Sequence, residues 1–211
     1  MNVLFSGGTS YIYSNDVLID AGDGNDQITV KFLTLYSSSI YSNTVDIDAG
    51  NGNDQISIEF ATTGYPIYSN DFTVDAGLGD DQVIVKLNSA SSSVYENNIS
   101  INTGFDLLTV QNGLSGDDND IVLVELAAGS GSAVYSNDIN IVTGEYIDQI
   151  SVSLLASNAG DITNVNNNTI DIDAGEGEDL ITLDITTDID DTLGGSNDAV
   201  SYTHLTLPTK A

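Results

Sequence analysis

Four ten-residue segments hold the chemistry this sequence offers: AGDGNDQITV (21–30), AGNGNDQISI (49–58), AGLGDDQVIV (76–85) and AGEGEDLITL (174–183). In each, an aspartate stands two residues after the second of two spaced glycines. Glycines let the backbone take positive φ and turn its carbonyls toward one point. The aspartate adds a charged oxygen. A hard, oxygen-rich site without nitrogen or sulfur is calcium chemistry; magnesium fits less well, because it dehydrates reluctantly and wants a strict octahedron. The competing reading is a solvated strand connection, since glycine and aspartate favour turns for local reasons. Four copies in phase favour the cation.

Composition removes most other chemistry. Of 211 residues, 32 are acidic and three are lysines (Lys31, Lys86, Lys210), with no arginine, so the formal net charge is -29. No basic face exists for nucleic acid or for anionic lipid. Cysteine is absent and His204 is the single histidine, which leaves no ordinary zinc site or histidine-based catalytic centre. No apolar run reaches the roughly 18 residues of a membrane span. A non-enzymatic role is expected. The enzymatic alternative, a polysaccharide lyase or epimerase on a β-helix, would have to use Tyr and Asp, with 105–115 the place to look.

The elements that position the acidic turns follow from a repeat. Glycines at Gly22, Gly50, Gly77, Gly104, Gly144 and Gly175 are each preceded, seven residues earlier, by Asn15, Asn43, Asn70, Asn97, Asn137 and Asn168. Ten residues before each glycine lies a β-branched residue, followed by tyrosine in the first five units (Tyr13, Tyr41, Tyr68, Tyr95, Tyr135). The glycines are 28, 27, 27, 40 and 31 residues apart. An insertion at about 105–115 accounts for the long gap and keeps Asp120 and Val122 in register. Apolar residues alternate with period two, as in Ile28, Val30 and Phe32, which is a strand pattern. One unit cannot bury its apolar face alone, so units must stack. The expected fold is all-β: a parallel β-solenoid of about six coils with a ~28-residue repeat, formed by residues 1–193.

Stacking in register builds columns of identical side chains. The asparagines should form a hydrogen-bonded ladder at a bend, and the tyrosines should stack on one another. Outward Gln27, Gln55, Gln82 and Gln149 make a further column, and Lys31 and Lys86 fall where they can pair with Glu59 and Glu125 across coils. Asp20, Asp48 and Asp75 make an acidic column, with Asp173 in the last coil. Asp26, Asp54, Asp81, Asp120, Asp148 and Asp179 make another. Carboxylates one strand spacing apart, ~4.8 Å, repel by roughly 1 kcal/mol in water and several times that at lower dielectric. Bound cations, protonation or high salt must offset this. A halophilic surface protein without specific metal sites is thus a further alternative.

The turns resemble the haemolysin-type calcium-binding repeat of the RTX proteins, G-G-x-G-x-D-x-U-x with U apolar. The resemblance covers about ten residues per unit. It implies a parallel β-roll with Ca²⁺ held between coils by Gly22, Gly24 and Asp26; Gly50, Gly52 and Asp54; Gly77, Gly79 and Asp81; and Gly175, Gly177 and Asp179. LGGSND (193–198) looks like a partial copy. Departures are clear: alanine replaces the first glycine in all four turns, the motif appears once per unit rather than in tandem, and Tyr146 takes the second glycine's place in the fifth.

Residues 194–211 are expected to stand apart as a partial repeat and a tail. The last of them, AVSYTHLTLPTKA (199–211), resemble translated sequencing-adapter read-through rather than native protein. The expected function is a calcium-binding structural or adhesive module, extracellular or on the cell surface. Its expected partners are calcium, a cell-surface or polysaccharide ligand, and further copies joined end to end into fibres through open strand edges.

Overall fold

The computed structural model describes residues 1–35, 38–104, 119–129, 131–144, 146–157, 165–187 and 199–205. Among them there is no helix. The chain winds as a parallel β-solenoid of about six coils, and every strand pairing is parallel.

Each coil has three strands where the sequence pattern marked two clearly and left the third as strand or loop. A long face is built from eight-residue strands at Gln27–Thr34, Gln55–Thr62, Gln82–Ser89, Ile121–Ala128, Gln149–Ala156 and Leu180–Thr187, with Asn2–Gly7 beside the first. A narrow corner is built from two-residue strands such as Ile12–Tyr13, Ile40–Tyr41 and Ile67–Tyr68. A short face is built from five-residue strands at Asp16–Asp20, Thr44–Asp48, Asp71–Asp75, Asn98–Asn102 and Asp138–Val142, followed by Thr169–Glu176. The backbone of Ala199–Leu205 runs parallel to Thr169–Glu176, with a register irregularity after Asp173. The expected insertion at 105–115 and the partial copy at 193–198 lie outside the described residues.

Register follows the repeat residue for residue. Gln27 pairs with Gln55, and Gln55 with Gln82. Beyond the insertion Val83 pairs with Val122 and Lys86 with Glu125, as the spacing requires. Strict alternation on the long strands sends Ile28, Val30, Phe32 and Thr34 inward and leaves the residues between them on the surface. A one-residue slip would expose that whole set, so burial fixes the register. The core is columnar. Phe5, Phe32 and Phe60 stack at 4.4 and 4.2 Å between ring centroids, and Phe72 meets Phe60 edge-on from the short face.

The corner is held by the asparagine ladder. Asn43 Nδ2 donates to Asn70 Oδ1 (2.9 Å) and to the carbonyls of Tyr41 and Ile12 (3.1 and 3.2 Å). Its backbone N–H also reaches Asn70 Oδ1. The pattern recurs through Asn70, Asn97, Asn137 and Asn168, all buried. The preceding residue of each coil (Ser14, Ser42, Ser69, Glu96, Ser136, Asn167) has φ of 53 to 54°. Such a left-handed bend is unfavourable for non-glycine residues. The asparagine amide satisfies the backbone groups that the bend turns inward.

Candidate functional site

The glycine turn joins the short face to the long one, and its two acidic columns differ in kind. The inner column is buried. Asp26 N–H donates to Asp54 Oδ1 (2.7 Å), and Asp54 N–H to Asp81 Oδ1 (2.8 Å). The series continues through Asp120, Asp148 and Asp179 at 2.9 to 3.0 Å. Each carboxylate thereby ties its turn to the turn of the preceding coil. Asp54, Asp81, Asp120 and Asp148 are at most 2% exposed.

The second carboxylate oxygen meets different surroundings from coil to coil. Thr103 Oγ1 donates to Asp120 Oδ2 at 2.7 Å. The residue equivalent to Thr103 in the second coil is Ala49, since Ala49 leads to Ala76 and Ala76 to Thr103 through successive backbone bonds along the column. Asp54 Oδ2 is buried without a hydrogen-bond partner. Burial raises the Asp54 pKa above the ordinary carboxylate value; the Asp26 amide opposes the shift and the Asp26 charge adds to it.

The outer column is solvent-facing. Asp20, Asp48 and Asp75 stand in register at the ends of the short strands. Asn102 and Val142 continue the position, so Asp173 is set apart from the other three. Asp48, Asp75 and Asn102 line a shallow groove with Gly50, Asn51 and Gly77. Asn102 Nδ2 donates to Asp75 Oδ1 at 3.2 Å.

Elsewhere on the surface, amides separate the acids. Asn51 donates to Asp23, Asn98 to Asp71 and Asn53 to Asp80. Among the described residues this dilution confines the crowding to the inner column and to Asp20, Asp48 and Asp75. Two described lysines are engaged elsewhere, Lys31 with Glu59 and Lys86 with Glu125, both across coils on the long face.

The glycines stack closely. Gly22, Gly50 and Gly77 have φ of 85 to 92°, and Gly24, Gly52 and Gly79 of 130 to 136°. A Cβ on Gly50 would overlap the Gly22 carbonyl oxygen, and one on Gly77 would overlap that of Gly50. Coil-to-coil packing is therefore reason enough for glycine here. Gly175 keeps a positive φ, and Tyr146 holds one of 95° in the place of a glycine.

Chemically, the turn region offers only hard oxygens: carboxylates, amide oxygens and backbone carbonyls. That donor set fits calcium, and the unpartnered buried oxygen of Asp54 fits a cation or a proton equally well. Among the described residues no three acidic groups converge as a ready-made cage.

These features define a parallel β-solenoid repeat protein with in-register polar columns. No family model, curated protein or solved structure matches the chain.

Proposed function

We propose that this chain is a repetitive structural module that works outside the cell, where calcium neutralises its acidic turn. What supports the reading is the Asp20–Asp48–Asp75 column beside the groove, three carboxylates stacked in successive coils. The RTX-like turn motif points to the same ion. Asp48, Asp75 and the carbonyls of the flanking turn would hold it, with water completing the shell. The ion would supply charge neutralisation and a link between coils, so that binding energy becomes folding energy. Adhesion to a surface or polysaccharide, and fibres joined through the coil edges, extend this reading.

The test is thermal melting by circular dichroism at moderate salt, in millimolar Ca²⁺ and in EGTA. Calcium at a hundred times its Kd would stabilise by about 2.7 kcal/mol per site. Asp48→Asn combined with Asp75→Asn should remove most of the calcium response while leaving the fold intact. Identical melting curves in the two buffers would end the proposal.

A further inference from the structure

The corner carries a second column of reactive side chains. Tyr13, Tyr41, Tyr68, Tyr95 and Tyr135 are stacked in parallel with ring centroids 5.2, 5.0, 5.0 and 4.8 Å apart and interplanar angles of 4 to 6°. Stacked this way the rings turn their faces to one another and their edges outward. A sugar ring needs an aromatic face, so the column is poorly suited to carbohydrate stacking. It is well suited to chemistry between neighbours. Each ortho carbon lies one coil from its counterpart, on a corner where the rings are half-buried or exposed.

We propose that this column is a site of oxidative cross-linking, in which neighbouring tyrosines of one chain couple to dityrosine and pin adjacent coils together. The co-reactant is a one-electron oxidant, such as a peroxidase–peroxide couple or a photogenerated metal(III) complex. Each of two phenols gives up one electron and one proton to become a phenoxyl radical. The two radicals join through one new Cε–Cε bond. The hydrogens on the coupled carbons then move to the oxygens and restore both phenols. The link thus consumes two oxidising equivalents and releases two protons overall.

Two features favour coupling within the chain, and a third bears on the form of the radical. The partner ring is already held in place by paired backbone, so no diffusional encounter is needed; effective concentrations of tethered partners are in the millimolar range or above. Rotation about χ1 and χ2 can bring half-exposed rings together without breaking the ladder of Asn43, Asn70 and Asn97 behind them. The phenols of Tyr68, Tyr95 and Tyr135 have pKa values raised by burial, with nearby charges adding to the shift. They stay protonated at neutral pH, so the proton leaves with the electron and forms a neutral radical. Tyr11 differs, meeting Tyr41 edge-on at 6.2 Å, and Tyr65 stands outside the column.

The experiment irradiates dilute full-length protein with ruthenium tris-bipyridine and persulfate, in calcium and in EGTA. Dityrosine fluorescence, intact mass and peptide mapping are the readouts. The expected product is a monomer that has lost two hydrogens per link, with links mapped to Tyr13–Tyr41, Tyr41–Tyr68, Tyr68–Tyr95 and Tyr95–Tyr135. Tyr68→Phe keeps the ring stack and should remove two of the four adjacent pairs, Tyr41–Tyr68 and Tyr68–Tyr95, lowering the yield of linked monomer about two-fold, whereas Tyr65→Phe should leave it unchanged. Linked protein should melt at higher temperature than unlinked protein in the same buffer. Absence of dityrosine, links found only between chains, or a yield indifferent to Tyr68→Phe would overturn the proposal. The result does not depend on calcium binding, since folded protein in any buffer presents the column.

Discussion

The inner carboxylate column makes a quantitative prediction at position 49. Asp54 Oδ2 is buried without a donor, whereas the equivalent oxygen of Asp120 receives the Thr103 hydroxyl at 2.7 Å. Ala49→Thr should supply the missing donor when its hydroxyl turns as that of Thr103 does, toward the carboxylate, and not as that of Thr143, which is buried without a partner. Native Thr103 follows Ala76 in the same column, so the turn accepts a threonine above an alanine. The added volume has its own effect, and Ala49→Val, nearly isosteric with threonine, measures it. A hydrogen bond to a charged group contributes about 1.5–3 kcal/mol. Threonine should therefore exceed valine by about 2 kcal/mol in EGTA at a pH high enough to ionise Asp54 (pH 8 is the test point). For a chain of this size that is a difference in Tm of roughly 4–8 °C. Because burial raises the Asp54 pKa, lowering the pH should protonate the carboxyl and shrink the difference. Equal Tm values for the two variants at pH 8 would refute the reasoning, because the orphaned oxygen would then not be a source of instability.

Three further predictions use other columns. Asn70→Ala strips partners from Asn43, Asn97 and the carbonyls of Tyr68 and Ile40 at once; at about 1–3 kcal/mol for each buried group left unsatisfied, urea unfolding should show a loss of 3 kcal/mol or more. Gly50→Ala puts a Cβ onto the Gly22 carbonyl at a φ of 92°, and chemical denaturation should show a loss of at least ~2 kcal/mol. The pH dependence follows from Asp54. Its folded pKa is raised, so the native state binds the proton more tightly than the unfolded chain does. That contribution is full below the ordinary carboxylate value and is lost as pH rises through the raised one. In EGTA, Tm should fall as pH rises above the ordinary carboxylate range, and Asp54→Asn should flatten the slope.

The columns were legible in the sequence because a solenoid converts a fixed offset into a stack. Asn43 and Asn70, Tyr41 and Tyr68, and Lys31 with Glu59 could each be paired from spacing alone. So could Val122 across the insertion, since the residues after it resume the same phase. What spacing did not reveal is the direction of side chains in the turn. On a strand the two-residue alternation decides inside from outside, but between Ala49 and Gln55 the glycines break that alternation. Asp48, last on its strand, reads as outward by that alternation, but nothing in the spacing tells that Asp54 is sealed in the interior. The roles of Thr103 and Ala49 were hidden for the same reason. The glycines themselves were read as carbonyl donors, and their tight coil-to-coil contact has no signature apart from recurrence.

Every strand finds its partner a full repeat away in the chain, as Gln27 does at Gln55 and Gln55 at Gln82. Little can therefore form early by local contact. Closing the first loop of about 28 residues carries an entropy cost that grows only slowly with its length, yet it earns no stacked neighbour on either side until the next loop closes. Assembly of such a chain is expected to wait on a nucleus of two or three coils and then to advance by accretion, each finished coil templating the next.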